Sequence, residues 1–276
     1  MIKILIPTDF SNNAMHALRY AIALFKWEEA QFYLLHAYAN EVYDDFRPNS
    51  KTDVEVKETN DKKNSKNRFD RLIKDITEGS SNHNHVYKSL NAFDALVVSV
   101  KDAVKEKSID LVIMGTKGKT NDKKIIFGSN TMQVLKYVQC PVLIIPHDAV
   151  IHNPKRILLP TDFMLPYKPQ QFKVLNYLGN EYKAEINSLY ISDFEDISHR
   201  QLENKRVLIE NLSDSFLFFE RTGIKNRIQA IREHILLRNI DFLVMVDSKH
   251  SFLEDLLYRS TIDELGLTIK IPFLVL

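Results

Sequence analysis

The sequence lacks several features that would place a protein in a specialised class. It has one cysteine, Cys140, which excludes an intramolecular disulfide, and none of its apolar runs reaches the roughly 18 residues of a membrane span. Its formal net charge of +1 argues against strong nonspecific binding to nucleic acid or to an anionic membrane. The first residues have the pattern of a strand rather than of a signal peptide, so we expect a cytoplasmic protein.

Glycine is also scarce, with only seven in 276 residues, yet three of the seven stand close together. Gly115, Gly118 and Gly128 follow an apolar run at 111–113 with the spacing G-x2-G-x9-G-S. Glycine lets the main chain pass close to a ligand, and the free N–H groups at the start of a helix attract phosphate. With the hydroxyl of Ser129, this pattern predicts a phosphate-binding loop. The alternative is that the glycines only serve tight turns.

Four segments of the first half recur in the same order in the second half. The copies lie 153 residues apart for the first two segments and 131 residues apart for the last two. The pairs are 4–10 with 157–163, 33–36 with 186–189, 109–114 with 240–245, and 140–144 with 271–275. Collinear matches of this kind predict two homologous domains, at 1–147 and 154–276.

Short apolar runs alternate with helical patterns within each copy, which predicts a parallel sheet with helices on both faces. Ligands of such sheets bind at the carboxyl ends of the strands, near the point where the strand order reverses. Thr8 and Asp9 follow the first strand pattern, and the glycine-rich loop follows a later one. The sequence therefore places both motifs at the edge of the sheet where ligands bind.

A charged segment at 41–71, rich in Lys, Asp, Glu and Asn, lies where the two copies differ in length. Two interpretations stay open for it: a mobile lid or partner surface, or a solvated loop that leads into a surface helix through Phe69. Other candidate chemistry is sparse. We expect His83 and His85 to be exposed loop histidines, because neither cysteine nor an acidic cluster adjoins them, and we assign no metal site.

In these motifs the chain resembles the universal stress protein family, in its ATP-binding branch. The resemblance covers nearly the whole chain as two tandem copies. It rests on four segments in order: 7–10 (PTDF), 114–120 (MGTKGKT), 128–131 (GSNT) and 141–145 (PVLII). The family's fold implies α/β architecture with two tandem Rossmann-like domains of the adenine nucleotide alpha hydrolase type. Each would be a five-stranded parallel sheet with helices on both faces.

The resemblance further implies that ATP, with Mg2+ on its phosphates, lies across the strand ends of the first domain. Pro7, Thr8 and Asp9 would line the adenosine end, where Asp9 is positioned to accept hydrogen bonds from the ribose or the base. Ala37, just after the second strand, would offer backbone contacts to adenine.

Met114 and Gly115 would form the floor of this site. Five further residues would hold the phosphates: Gly118, Gly128, Ser129, Asn130 and Thr131. The family also implies pairing of the two domains along their final strands, and a homodimer or an unidentified protein as further partners. Nucleic acid and membranes are not expected partners.

The second copy replaces the three glycines by Val246, Lys249 and Arg259. Each replacement puts a side chain where the backbone should approach phosphate, so we predict no nucleotide site in the second domain. The repeated Pro160-Thr161-Asp162 is then a structural turn at a strand end.

Three functions are compatible with these patterns. The first is a regulatory module whose bound ATP biases a partner-binding or dimeric state. The second is a slow ATPase, which needs a water-positioning residue near Ser129. The third is a nucleotide-free scaffold that presents a partner surface. Because the sequence shows no general base beside the phosphates, binding is favoured over turnover, and we assign no catalytic residue.

Overall fold

The computed structural model describes residues 1–39, 51–79, 82–116, 127–192, 196–223, 226–246 and 270–276. These residues form two compact units, the first ending at His147 and the second beginning at Asp148. Each unit is an α/β domain built on a parallel sheet, which confirms the predicted fold class.

The first unit has five parallel strands in the order β3-β2-β1-β4-β5. Its elements are β1 (Ile2–Pro7), α1 (Asn12–Leu24), β2 (Ala30–Ala37), α2 (Lys51–Gly79), β3 (His85–Ala92), α3 (Leu96–Lys107), β4 (Leu111–Gly115), α4 (Ser129–Tyr137) and β5 (Val142–Ile145). The strand order reverses between β1 and β4, so the carboxyl ends of these two strands flank the topological switch point. Consecutive residues Ile4, Leu5 and Ile6 are fully buried, as expected for a strand covered on both faces.

The second unit repeats this order as β8-β7-β6-β9-β10, again with parallel pairing. Its elements are β6 (Arg156–Thr161), α5 (Phe172–Glu181), β7 (Glu185–Ile191), α6 (His199–Asn211), β8 (Phe216–Thr222), α7 (Arg227–Leu237), β9 (Phe242–Met245) and β10 (Phe273–Val275). A short 3-10 helix, Pro169–Gln171, precedes α5. The internal repeat is therefore a repeat of the fold.

The sheet registers correct one detail of the repeat alignment. Ile4 pairs with Phe32 in the first unit, and its counterpart Ile157 pairs with Ile186 in the second. The second strands of the two units therefore correspond at an offset one residue larger than the 153 expected from the sequence. This difference matters because successive residues of a strand face opposite sides of the sheet.

Helix α2 corrects the expectation for the charged segment 41–71. The chain is helical from Lys51 to Gly79, so most of the charged stretch is helix rather than loop, while residues 40–50 lie outside the described part. Most of its described side chains are exposed or half-buried, but Ser65 and Phe69 are buried. A helix that is polar around most of its circumference keeps its place through such a narrow buried stripe.

The structure also corrects the expectation for His85, which is the first residue of β3 and not a loop residue. It is half-buried, and its Nε2 lies at hydrogen-bond distance, 3.0 Å, from the carbonyl oxygen of Phe25. His83 is exposed, as expected. Over the described ranges, no three His, Cys, Asp or Glu side chains are grouped as a metal site, and no helix is long and apolar enough to span a membrane.

Candidate functional site

The first wall of the candidate site is a tight turn that joins β1 to α1. The Phe10 N–H donates to Thr8 Oγ1 at 2.9 Å, and the Ser11 N–H donates to Asp9 Oδ1 at 2.9 Å. Phe10 has a φ of 59°, which is uncommon for a bulky residue, and the two side-chain bonds hold the turn around it. Ser11 Oγ then caps α1 by accepting from the Ala14 N–H at 3.3 Å.

The Phe10 side chain connects this turn to α2. Its ring lies 4.9 Å from the ring of Phe69 and 5.0 Å from that of His36, and the Arg68 guanidinium lies 3.9 Å from its centroid. His36 Nδ1 is in turn 2.9 Å from the buried hydroxyl of Ser65 on the same helix. Because Phe10 adjoins Asp9 in the chain, the position of α2 is linked to the position of the Asp9 carboxylate.

The second wall is formed by the end of β4 and the start of α4. The Gly128 N–H donates to the Thr116 carbonyl at 2.8 Å. The buried Thr131 hydroxyl lies 3.1 Å from the carbonyl oxygen of Gly115 and 3.2 Å from that of Thr116, as a donor to both. Its hydrogen is therefore used to hold α4 against β4, which leaves Thr131 without the donor role toward phosphate that the sequence suggested.

The amino end of α4 presents polar groups to solvent. Its N-cap, Gly128, makes no side-chain cap, and Ser129 and Asn130 are exposed. The first N–H groups of a helix have no intrahelical partner and carry the positive end of the helix dipole. The first turn of α4 can thus bind phosphate through backbone N–H groups, a hydroxyl and an amide. Gly128 itself has φ −64° and ψ 158°, which any residue can adopt.

Gly115 has a packing role that the sequence did not reveal. A Cβ at this position would lie 3.3 Å from the carbonyl oxygen of Asn13 and 3.6 Å from its Cβ. The absent side chain therefore lets the start of α1 approach the end of β4. The residue at the corresponding position of the second unit is Val246, and the helix after β6 begins further along the chain there, at Phe172.

The remaining predicted site residues lie at the same edge of the sheet. Pro7 ends β1 and pairs with Leu35 of β2, two residues before Ala37, which ends that strand. Met114 is buried one residue before the end of β4. Because β2, β1 and β4 are neighbours in the sheet, the structure brings these strand ends together with the start of α4. Gly118 lies outside the described residues.

The second unit contains the same strand-end turn. The Phe163 N–H donates to Thr161 Oγ1 and the Met164 N–H donates to Asp162 Oδ1, both at 2.9 Å. Phe163 has a φ of 56°, as Phe10 does in the first unit. The Thr-Asp-Phe sequence therefore builds the turn in both units, and its presence alone does not distinguish a ligand site.

The two units differ in what surrounds this turn. Asp162 Oδ2 lies 3.6 Å from a guanidinium nitrogen of Arg227, the first residue of α7, and Gln201 donates to the Asp162 carbonyl at 2.8 Å. The Thr161 hydroxyl lies 2.7 Å from the hydroxyl of Tyr167, and burial raises the pKa of Tyr167 to about 12. In the second unit, polar groups of the turn are thus paired with side chains of the same unit.

Sequence reasoning missed this role of Arg227. The signal was present, because the offset of 131 that relates the later strands also relates Arg227 to Leu96, the first residue of α3. Leucine cannot form an ion pair with Asp9. Lys249 and Arg259, which replace glycines in the second copy, lie outside the described residues.

Comparisons with known proteins give a consistent result for the first unit. The model of the Universal stress protein family matches residues 1–146. Universal stress protein MJ0577 of Methanocaldococcus jannaschii is 30% identical over 166 residues, which span 52% of this chain and 93% of that protein. Universal stress protein MJ0531 of the same organism is 28% identical over 144 residues, spanning 52% of this chain and 81% of that protein.

Among solved structures, a universal stress protein from Archaeoglobus fulgidus matches with a TM-score of 0.69 at 18% identity. The match covers 99% of this chain and 97% of that chain. The likeness therefore extends over both units, and at this level of identity it concerns the fold alone.

Proposed function

Because the chain belongs to the universal stress protein family, we propose that its first unit binds one adenine nucleotide in a regulatory, stress-response role. The nucleotide is ATP, with Mg2+ held on its phosphates. It lies across the carboxyl ends of β2, β1 and β4, and its phosphates point toward the start of α4. The second unit binds no nucleotide in the corresponding place.

The difference between Asp9 and Asp162 is the observation that supports this proposal most strongly. Both carboxylates use Oδ1 to hold the same turn. The second carboxylate oxygen of Asp162 faces Arg227, whereas the first unit has Leu96 at that position. Asp9 is half-buried and pairs with no cation in the part of the chain that the structure describes, which suits the hydroxyls of a ribose, since these donate hydrogen bonds without adding charge.

The donor set at the start of α4 fits a polyphosphate. Ser129 and Asn130 are exposed beside the N–H groups of the first helical turn, where the helix dipole favours an anion. These groups bind phosphate, but neither a hydroxyl nor an amide is a general base for attack by water. The described residues of this helix start therefore favour binding over hydrolysis.

The contact between the turn and α2 supports a regulatory output. The Phe10 ring packs against Arg68 and Phe69 of α2, so a ligand that fixes Asp9 also restricts the residue that anchors this helix. Helix α2 is long and largely polar, and its exposed side chains are available to a partner. Nucleotide binding would favour one position of α2 over others. A protein partner that binds α2 would then have different affinities for the nucleotide-bound and nucleotide-free protein.

Equilibrium dialysis with labelled ATP and Mg2+ tests the proposal. Asp9→Asn keeps an oxygen to accept from the Ser11 N–H, and we expect it to weaken ATP binding at least tenfold, because the amide is a poorer acceptor than the carboxylate. Asp162→Asn is the matched control in the second unit and should leave the affinity unchanged. Absence of saturable ATP binding by the wild-type protein, or equal effects of the two substitutions, would overturn the proposal.

A single-turnover assay on the same samples separates binding from catalysis. We expect bound ATP to be recovered intact. Stoichiometric release of phosphate that Asp9→Asn or Ser129→Ala removes would instead identify an ATPase. Binding of a protein partner that does not depend on ATP would favour the alternative function, a nucleotide-free scaffold.

A further inference from the structure

The second unit contains a cavity of about 750 Å3 whose lining does not include the residues of the strand-end turn. It opens at the amino ends of β6 and β7, where Arg156 and Glu185 begin these strands, and beside the carboxyl end of α7. The lining continues along β8 as far as Arg221, which is level with Tyr190 and Thr161 in the sheet. The volume lies within the range of roughly 300–1,000 Å3 that is common for small-molecule sites.

The floor of the cavity carries an unpaired amide. Asn187, on β7, lines the cavity and is only 6% exposed, and its side-chain amide makes no hydrogen bond to a described residue. A primary amide offers two N–H donors and one acceptor oxygen, which can pair with the polar edge of a ligand. The N–H and oxygen groups of the Asn187 amide are therefore available to a ligand in the cavity.

In the first unit, a tyrosine occupies the position that corresponds to Asn187. In the sheet registers, Leu5 pairs with Tyr33 and its counterpart Leu158 pairs with Asn187, so Tyr33 corresponds to Asn187. The Tyr33 ring is buried, and its hydroxyl donates to Gln31 Oε1 at 2.6 Å. The second unit has a short amide in place of this aromatic ring, which leaves the space open and a polar group at its base.

Three of the ten residues that line the cavity are apolar, namely Phe218, Phe219 and Leu237, and the other seven are charged or polar. Phe218 pairs with Asn187 in the sheet, so both side chains lie on the same face, and Leu237 at the end of α7 lies across from them. Phe218 is 48% exposed and Leu237 is 77% exposed, so both side chains are accessible to a ligand. A flat aromatic ring beside an amide suits a planar ligand that stacks on one and pairs with the other.

The charged groups at the rim are already matched with each other. Arg156 lies 3.7 Å from Glu185, and Arg238 lies 3.0 Å from Glu220. A third arginine of the rim, Arg221, is engaged in an interaction of its own. Both glutamates of the rim and two of its arginines are therefore already paired, so these groups do not require a charged ligand.

We propose that this cavity binds a small, neutral, planar heteroaromatic molecule with a carboxamide or an equivalent donor–acceptor edge, as a nucleobase has. The edge pairs with the Asn187 amide, and the ring stacks on Phe218. The site is distinct from the nucleotide site in the first unit, since all of its lining residues belong to the second unit.

Titration calorimetry with nicotinamide and methyl nicotinate tests the proposal, because the two probes share the ring and differ in the donor. We expect wild-type protein to bind nicotinamide saturably and methyl nicotinate at least fivefold more weakly. Asn187→Leu, which keeps the approximate size of the side chain, should weaken nicotinamide binding at least tenfold and abolish the preference. Phe218→Ala, at a half-exposed position, should weaken both probes and provides a second test if Asn187→Leu impairs folding.

Tyr33→Phe and Asp9→Asn in the first unit are the control substitutions, and neither should change nicotinamide affinity. The proposal is overturned if nicotinamide does not bind saturably at millimolar concentration, or if binding is unaffected by Asn187→Leu and Phe218→Ala. A loss of nicotinamide binding in Asp9→Asn would overturn it as well, by placing the probe at the nucleotide site. Failure of ATP binding alone leaves these outcomes unchanged.

Discussion

Asp162 and Arg227 form an ion pair, 3.6 Å between carboxylate and guanidinium, at a turn whose backbone geometry is shared with Asp9 in the first unit. The first unit has Leu96 in the place of Arg227. Among the described residues, the two copies of this motif thus differ in whether an arginine faces the carboxylate. Under the proposed function, this difference leaves the first turn open to a nucleotide and the second turn occupied by the protein's own side chain.

Leu96→Arg should place a guanidinium beside Asp9 in the first unit, as Arg227 does beside Asp162 in the second. We expect ATP affinity to fall at least tenfold, because the new guanidinium competes with the ribose for the Asp9 carboxylate. Isothermal titration measures the effect, and Arg227→Leu is the matched control with unchanged affinity. Tighter or unaltered ATP binding by Leu96→Arg would show that Asp9 does not contact the nucleotide.

Gly115→Val should reduce stability more than it affects any ligand contact directly. The Cβ would lie 3.3 Å from the Asn13 carbonyl oxygen, and a backbone atom gives way less easily than a side-chain end. We expect a loss of about 1–3 kcal/mol in the free energy of unfolding, measured in urea. Gly79→Ala, where nothing lies within 4 Å, should change stability by less than about 1 kcal/mol. Equal effects of both substitutions would refute the packing role.

Thr131→Val and Ser129→Ala should separate a structural hydroxyl from a binding hydroxyl. Thr131 donates to two carbonyl oxygens and is buried, so Thr131→Val should lower the free energy of unfolding by about 1–3 kcal/mol. Ser129 is exposed, and Ser129→Ala should leave stability nearly unchanged while weakening ATP binding severalfold. Urea titration measures the stability of each variant, and ATP titration measures its affinity. If Ser129→Ala lost stability and Thr131→Val lost affinity instead, Ser129 would be the structural residue and Thr131 the binding residue.

His234 should make the stability of the protein depend on pH. Burial lowers the pKa of His234 below its ordinary value, although Glu220 at 3.1 Å acts in the opposite direction and Arg238 adds to the lowering. The contact with Glu220 lacks the geometry of a hydrogen bond, which explains why burial dominates. Below about pH 6.5 the unfolded chain binds a proton that the folded protein does not, so stability falls as the pH decreases toward the folded-state pKa.

Measuring the free energy of unfolding of wild type and His234→Gln at pH 7.5 and 5.5 checks this dependence. The wild-type protein should lose more stability on acidification than His234→Gln does. If His234→Gln loses as much or more, the folded protein does not disfavour the protonated form of this histidine.

Much of the fold could be predicted from the sequence because buried parallel strands leave a strong local pattern. The repeats of Pro-Thr-Asp-Phe located both strand-end turns, and apolar runs located most of the strands. The register of β7 could not be read in this way, since a shift by one residue leaves an apolar run apolar and only pairing with β6 fixes it. The extent of α2 was also missed, because a polar helix shows little periodicity in its sequence.

The places of the candidate residues in the secondary structure were predictable from the sequence, but their contacts were not. Gly115 and Thr131 were correctly placed at the strand end and helix start, but their contacts depend on where α1 and β4 meet in three dimensions. The sequence could not show that glycine at 115 accommodates Asn13. Arg227 lies 65 residues after its partner Asp162, so only the fold brings the two side chains together.

The number of nucleotides bound per chain tests the central claim of one asymmetric site most directly. Native mass spectrometry of the protein saturated with ATP and Mg2+ should show one ATP per chain in the wild type. Gly128→Arg should show none, at a position whose backbone angles accept any residue. Two nucleotides per chain, or one that persists in Gly128→Arg, would contradict the account.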